Sequence, residues 1–229
     1  MKIAMIPARL GSQRLKKKNL APLAGVELVR RAVRRCKAAG CFDAIFINSE
    51  SDVFRPVAEE EGAEFHLRPE ALGSNTATSE DFVAEFMQVH PCERLYQVHS
   101  IAPLVRAREI ADFASFVENS GADTVLSCVN EQIECVYDGM PVNFSVNEKT
   151  NSQDLKPIQR VTWSLTAWTP KVFLAAREKG MCATYAGEVA YYALDRHSGI
   201  IIKVQEDLDM AEALLSFIGD GVEFGGNVD

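Results

Sequence analysis

These 229 residues have little with which to hold a transition metal or a disulfide framework. The six cysteines (Cys36, Cys41, Cys92, Cys128, Cys135, Cys182) form no CxxC pair, and none of the four histidines stands at metal-ligand spacing from them. This excludes a stapled secreted scaffold and reads as reduced thiols, mostly core fillers, in a cytoplasmic protein. Long apolar runs are also missing. The N-terminal MKIAMIP is one strand long and ends in Pro-Ala-Arg, so neither a signal peptide nor a membrane span is expected. Neither GxxxxGK[ST] nor GxGxxG occurs, and no Ser/His/Asp constellation is visible. Cations are outnumbered, 24 Lys and Arg against 32 Asp and Glu, and the net charge of −8 argues against nucleic acid or an anionic membrane as partner.

What positive charge there is gathers at one end. Of the 24 cationic residues, 11 lie between Lys2 and Lys37, where Glu27 is the sole acid. An acidic chain with a basic N-terminal edge suits a small anionic ligand. Met1 to Pro7 reads as a buried strand running into Ala8-Arg9-Leu10-Gly11-Ser12-Gln13-Arg14, then Leu15-Lys16-Lys17-Lys18-Asn19-Leu20. Such a turn can hold a polyphosphate. Glycine at position 11 opens backbone conformations closed to residues with a Cβ, so N–H groups around Gly11 and Ser12 can converge on one anion. Arg9, Arg14 and Lys18 add full charge, and on composition alone a solvated basic loop is the alternative.

The ordered string Ile6-Pro7-Ala8-Arg9, Gly11-Ser12, Arg14 and Lys18-Asn19 resembles the opening motif of the acylneuraminate (CMP-sialic acid type) cytidylyltransferases, related to the CMP-Kdo synthetases. The resemblance implies that this loop wraps the triphosphate of CTP, with Ala8, Arg9, Gly11, Ser12, Arg14, Lys18 and Asn19 at the nucleotide and Arg9 and Lys18 in catalytic positions. Gln13 stands where many relatives carry lysine, and Lys16 and Lys17 are near enough in sequence to replace that charge. Arg68-Pro69-Glu70-Ala71-Leu72 resembles the family's RPxxL segment, which implies a nucleotide contact for Arg68, with a surface residue fixed by the neighbouring proline as the alternative. Near His99 the family has a glutamine facing the sugar, for which Gln97 or His99 is the counterpart.

The remaining chain supports an α/β reading: one domain over 1–229, a doubly wound, mostly parallel sheet flanked by helices in three layers. Strands are expected at 44–48, 63–66, 94–99, 124–129, 160–168 and 199–204. Helices are expected at 27–39, from the Ser49-Glu50-Ser51-Asp52 start signal to Gly62, at 80–89 and 109–119, from Pro170, and from Glu206. Arg30, Arg31, Arg34, Arg35 and Lys37 read as a solvated face, with an extension of the anion-attracting field as the alternative. Residues 130–159 are irregular, and by resemblance they protrude and form a homodimer, with an active-site flap as the alternative. The tail 219–229 reads as mobile.

Metal chemistry departs from the family pattern. Relatives carry an aspartate pair in the strand before the EDLxxAE helix, where this chain has Ile201 and Lys203, neither able to give a hard ion an oxygen. Mg²⁺ is then held mainly by triphosphate and water, with Asp207 or Asp209 nearby. Lys203 could instead meet a phosphate, and Asp207 could simply complement the helix dipole. The resemblance implies attack of a 3-deoxy-2-ketoaldonic acid, a sialic-acid-like nonulosonate, on the α-phosphate of CTP. CMP-Kdo or CMP-legionaminate synthesis, or a non-catalytic nucleotide-binding homologue, are the other readings.

Overall fold

The computed structural model describes residues 1–12 and 14–219. Gln13 and the tail from residue 220 onward, expected to be mobile, lie outside the described residues.

β1 (Lys2–Pro7) sends Ile3 and Met5 to one face and Ala4 and Ile6 to the other. All four are at most 1% exposed, so the strand sits in mid-sheet with both faces covered. After the basic loop, a hairpin of β2 (Pro22–Leu23) and β3 (Val26–Glu27) leads into α1 (Leu28–Ala39), which stops where Gly40 takes φ +64°. Then come β4 (Ala44–Ser49), α2 (Arg55–Glu61), β5 (Glu64–Leu67), α3 (Ser79–Val89), β6 (Arg94–Val98), α4 (Ala107–Ser120) and β7 (Thr124–Glu131). Thr78 caps α3, accepting from the Asp81 N–H while Asp81 accepts from the Thr78 N–H. A second hairpin, β8 (Val136–Tyr137) and β9 (Met140–Pro141), precedes β10 (Ile158–Trp168), α5 (Pro170–Glu178), β11 (Val189–Ala193) and α6 (Gln205–Ile218).

The seven-stranded sheet has the order β11-β7-β10-β6-β1-β4-β5. Neighbours pair in parallel except around β10, which runs antiparallel to both β6 and β7. One apolar layer joins the sheet to α1, α2 and α4, and the opposite layer joins it to α3 and α5. This is the expected three-layer, mostly parallel arrangement. A third cluster (Leu23, Leu28, Leu104, Ile202, Leu208, Ala211, Leu215) seats α6 against the first hairpin.

Two expectations fail. The apolar run at 199–204 is not a strand. His197–Gly199 form a 3-10 turn and 200–203 run without ladder bonds, because Ile200 and Ile202 pack into the α6 cluster instead. The sheet ends on β11, whose Ala and Tyr residues are half-buried or exposed at an edge and carry a weak apolar signal. Nor do the arginines of α1 form a solvated face. Arg31 and Arg35 are 2% and 3% exposed, and Arg31 donates to the Leu23 carbonyl. Arg30 and Arg34 pair with Glu61 of α2, whose carboxyl they hold below its ordinary range. The helix spends its charge on packing.

Candidate nucleotide site

Parallel strands aim their carboxyl ends at one edge, and β1, β4, β5 and β6 each deliver a polar residue there. Ala8 and Arg9 follow β1, Glu50 follows β4, Arg68 follows β5 and His99 follows β6. Sheet order reverses between β1 and β6, and beside that crevice lies a cavity of about 240 Å³. Its walls include Arg9, Ser12, Lys18, Arg68, Phe82 and His99. A second cavity of about 120 Å³ shares Arg9, Ser12 and Lys18 and adds Arg14, Leu15 and Lys203.

The loop is held from beneath by side chains. Ala8 is buried, its N–H on the Asn48 carbonyl. Asn19, 5% exposed, donates to the Arg9 carbonyl at 2.8 Å and accepts from the Ser100 hydroxyl at 2.7 Å, so it shapes the loop from behind. Glu50 accepts from the Leu10 N–H through Oε1 and from Arg68 Nη2 through Oε2, both at 2.8 Å. Arg68, 2% exposed, also lies over the Phe82 ring, 4.7 Å from its centroid. Arg9 reaches the Ser74 carbonyl and Asn75 Oδ1.

The picture of consecutive backbone donors needs revision. The Ser12 N–H is spent on the Leu10 carbonyl at 2.9 Å, and the Leu10 N–H on Glu50. Gly11 is not in the left-handed region, and a Cβ there would meet nothing within 4 Å, so its conformation does not require glycine. Charge therefore outweighs backbone dipoles here. Arg9, Arg14, Lys18 and Lys203 converge, and among the described residues none of the four is in an ion pair, whereas Arg30, Arg34, Arg68 and Arg177 each meet a carboxylate. Lys18 Nζ donates to the Ile202 carbonyl at 2.9 Å. Burial, then the neighbouring Arg14 and Arg9, push its pKa down, with Lys203 adding to them and Asp207 opposing. Lys16 and Lys17 are exposed and line neither cavity, whereas Lys203 lines the smaller one.

His99 and Gln97 play unequal parts. His99 lines the larger cavity, while Gln97 is 3% exposed and stands behind it, its amide nitrogen 2.6 Å from His99 Nε2. Burial, with a smaller push from Lys18, takes the His99 pKa down to about 4, and the ring is a neutral hydrogen-bonding group near neutrality. Among the described residues, Gln97 Oε1 is buried without a partner.

Asp207 and Asp209 offer little to an ion. Asp207 Oδ2 accepts from the Lys203 and Val204 N–H groups at 2.7 and 2.9 Å, capping α6, and Asp209 Oδ1 accepts from Gln205. Among the described residues no group of three His, Cys, Asp or Glu could hold a metal, and the smaller cavity is lined by four cations and no carboxylate. The residues present do not fit a protein-held Mg²⁺.

A family model described as cytidylyltransferase matches residues 3–219. The chain belongs to the cytidylyltransferase family. Curated relatives of this family member include N-acylneuraminate cytidylyltransferase B of Danio rerio, 25% identical over 218 residues, covering 91% of this chain and 50% of the relative. N-acylneuraminate cytidylyltransferase of Oncorhynchus mykiss is 26% identical, covering 91% of this chain and 49% of the relative. The chain thus spans about half the length of the curated relatives it matches. Among solved structures, CMP:2-keto-3-deoxy-manno-octonic acid synthetase complexed with CTP superposes with a TM-score of 0.70 at 14% identity, covering 94% of this chain and 98% of the other. The 4-diphosphocytidyl-2C-methyl-D-erythritol synthase of Anaerococcus prevotii gives 0.66 at 15%, with the same coverage. These likenesses establish the fold. Among the described residues no helix is long and apolar enough to cross a membrane.

Sequence reasoning passed over Glu50, taking Ser49 to Asp52 only as a helix start. An acid directly after an interior strand, on the edge where ligands bind, was the available signal.

Proposed function

We propose that this chain transfers CMP from CTP to the anomeric hydroxyl of a 3-deoxy-2-ketoaldonic acid of the nonulosonate class, releasing pyrophosphate. The observation that carries this reading is the convergence of Arg9, Arg14 and Lys18, without acid partners among the described residues, at a cavity beyond the carboxyl ends of the sheet. Family membership and relatives named for N-acylneuraminate support the choice of nucleotide and acid. In the reaction the anomeric oxygen forms a bond to the α-phosphorus and the bond to the bridging oxygen of the β-phosphate breaks. The hydroxyl proton leaves to solvent. Nothing covalent is asked of the protein. It positions the reactants and neutralises charge: Arg9 and Lys18 on the α-phosphate and departing pyrophosphate, Arg14 on the phosphate tail, and His99 by hydrogen-bonding the acceptor acid.

The test is pyrophosphate release from CTP with a panel of 2-keto-3-deoxy acids, beside Lys18→Ala. Loss of one such electrostatic contact costs on the order of a hundred-fold in turnover. One acid giving release that the variant loses, at an unchanged melting temperature, supports the reading. Near-normal turnover in Lys18→Ala refutes it, and silence with every acid while CTP still raises the melting temperature points to a nucleotide-binding homologue. Self-association is assigned to the β7–β10 connection, where Val136, Tyr137, Met140, Val142 and Val146 are all at least 58% exposed. A sedimentation measurement giving a monomer would remove that part. A supply of CTP and six free thiols suit the cytoplasm.

A further inference from the structure

We propose that Lys203 is a phosphate-binding residue of this site, placed to meet the β- and γ-phosphates of the nucleotide and the pyrophosphate leaving group, where it supplies charge that no protein-held metal ion can supply here. This rests on the CMP-transfer reading for the identity of the leaving group, but the geometry stands by itself. The two cavities share Arg9, Ser12 and Lys18, so a nucleoside in the larger one runs its phosphate tail past those residues into the smaller. The far wall of the smaller cavity is Arg14, Leu15 and Lys203.

The backbone that presents Lys203 is tied on every side. The Ile202 N–H donates to the Ile101 carbonyl at 2.8 Å, and the Ile202 carbonyl receives Lys18 Nζ. On the next residue, the Lys203 N–H is fixed by Asp207 Oδ2. Ile202 itself is fully buried in the α6 cluster. Upstream, Ser198 is 1% exposed, its hydroxyl on Glu109 Oε2 at 2.6 Å and its carbonyl accepting from the Ser164 hydroxyl at 2.8 Å. A flexible side chain is thus mounted on rigid backbone, and among the described residues its charge is in no ion pair. Asp207 has turned one oxygen to two backbone N–H groups and does not line the cavity, although its charge is felt at Lys18. Four cations without carboxylates would repel a metal ion and attract a polyphosphate.

The experiment is calorimetric titration of pyrophosphate, CTP and CMP into the full chain in EDTA, for wild type, Lys203→Ala and Lys203→Arg, with melting curves as a control on folding. CMP lacks the phosphates that Lys203 would meet, and inorganic pyrophosphate needs no acceptor acid. Wild type is expected to bind pyrophosphate and CTP without a divalent ion. Lys203→Ala should weaken both by about ten- to a hundred-fold while CMP affinity changes less than about twofold, and Lys203→Arg should recover most of the loss. Unchanged pyrophosphate affinity in Lys203→Ala, equal weakening of CMP and CTP, or wild-type binding that appears only with Mg²⁺ would each overturn the proposal. If the pyrophosphate pattern holds while no acid supports turnover, Lys203 is confirmed as a phosphate ligand and the failure falls on the CMP-transfer reading.

Discussion

Glu50 is where a single change should do the most damage without touching the ligand. Its two oxygens hold two parts of the site, Leu10 of the basic loop and the Arg68 guanidinium, and the paired side chains are 12% and 1% exposed. Glu50→Gln keeps an acceptor for the Leu10 N–H but removes the charge facing Arg68. Breaking a buried ion pair costs about 3–5 kcal/mol because one charge stays behind unpaired. Arg68 retains the Phe82 ring, worth about 0.5–2 kcal/mol, and a long 3.5 Å contact to Asn48, while its Nε already lacks a partner. The net expectation is about 2–4 kcal/mol. For a chain of this length that is roughly 5–15 °C in Tm. Denaturant unfolding of Glu50→Gln, Arg68→Met and the pair Glu50→Leu/Arg68→Met measures it. The double variant should recover most of the stability, since neither charge is left stranded, yet should not recover CTP affinity, since the loop has lost its anchor. If Glu50→Gln unfolds at the wild-type midpoint, or the double variant is as unstable as the sum of the singles, the pair does not carry the site in the way described.

Two further outcomes follow from the same geometry. His99 has a folded pKa of about 4 against an ordinary 6.5, so between those values the unfolded chain binds more protons and stability rises with pH. The contribution is complete above pH 6.5 and drains away as pH falls toward 4, and His99→Gln should flatten that part of the stability profile; an unchanged slope would show the ring is not buried neutral. Asp207→Ala should remove a helix cap, costing about 0.5–2 kcal/mol, with turnover at saturating Mg²⁺ within a few-fold of wild type; a collapse of turnover at unchanged stability would instead make Asp207 a metal ligand.

The strand-and-loop opening was legible because its information is local. A buried strand, a small-residue turn and ordered cations occur within 19 residues, and the first parallel half of the sheet alternates strand and helix along the chain. What was not legible depends on tertiary neighbours. Ile200 and Ile202 have the composition of a strand, and only the seating of α6 decides that they pack as loop. Arg31 and Arg35 look like surface charge until Leu23 and the neighbouring helices close over them. Glu50 resembles any helix-start acid until Arg68 arrives from the next crossover. Lys203 follows the same logic, since its role is set by a loop nearly the whole chain away.

That distance has a consequence for the order of assembly. Lys18 is anchored on the Ile202 carbonyl, 184 residues later, and the Ala24 N–H on Glu212, 188 residues later. The loop leaves the ribosome before these partners, which follow only after roughly 10–40 seconds of synthesis at about 5–20 residues per second. Until then the cationic loop has strand β1 beneath it and no floor on its far side. The anion site is therefore among the last features to form, closing a long loop that is entropically slow to close. A nascent chain can have a folded first half and still bind no nucleotide until the segment carrying Ile202 and Glu212 has joined it.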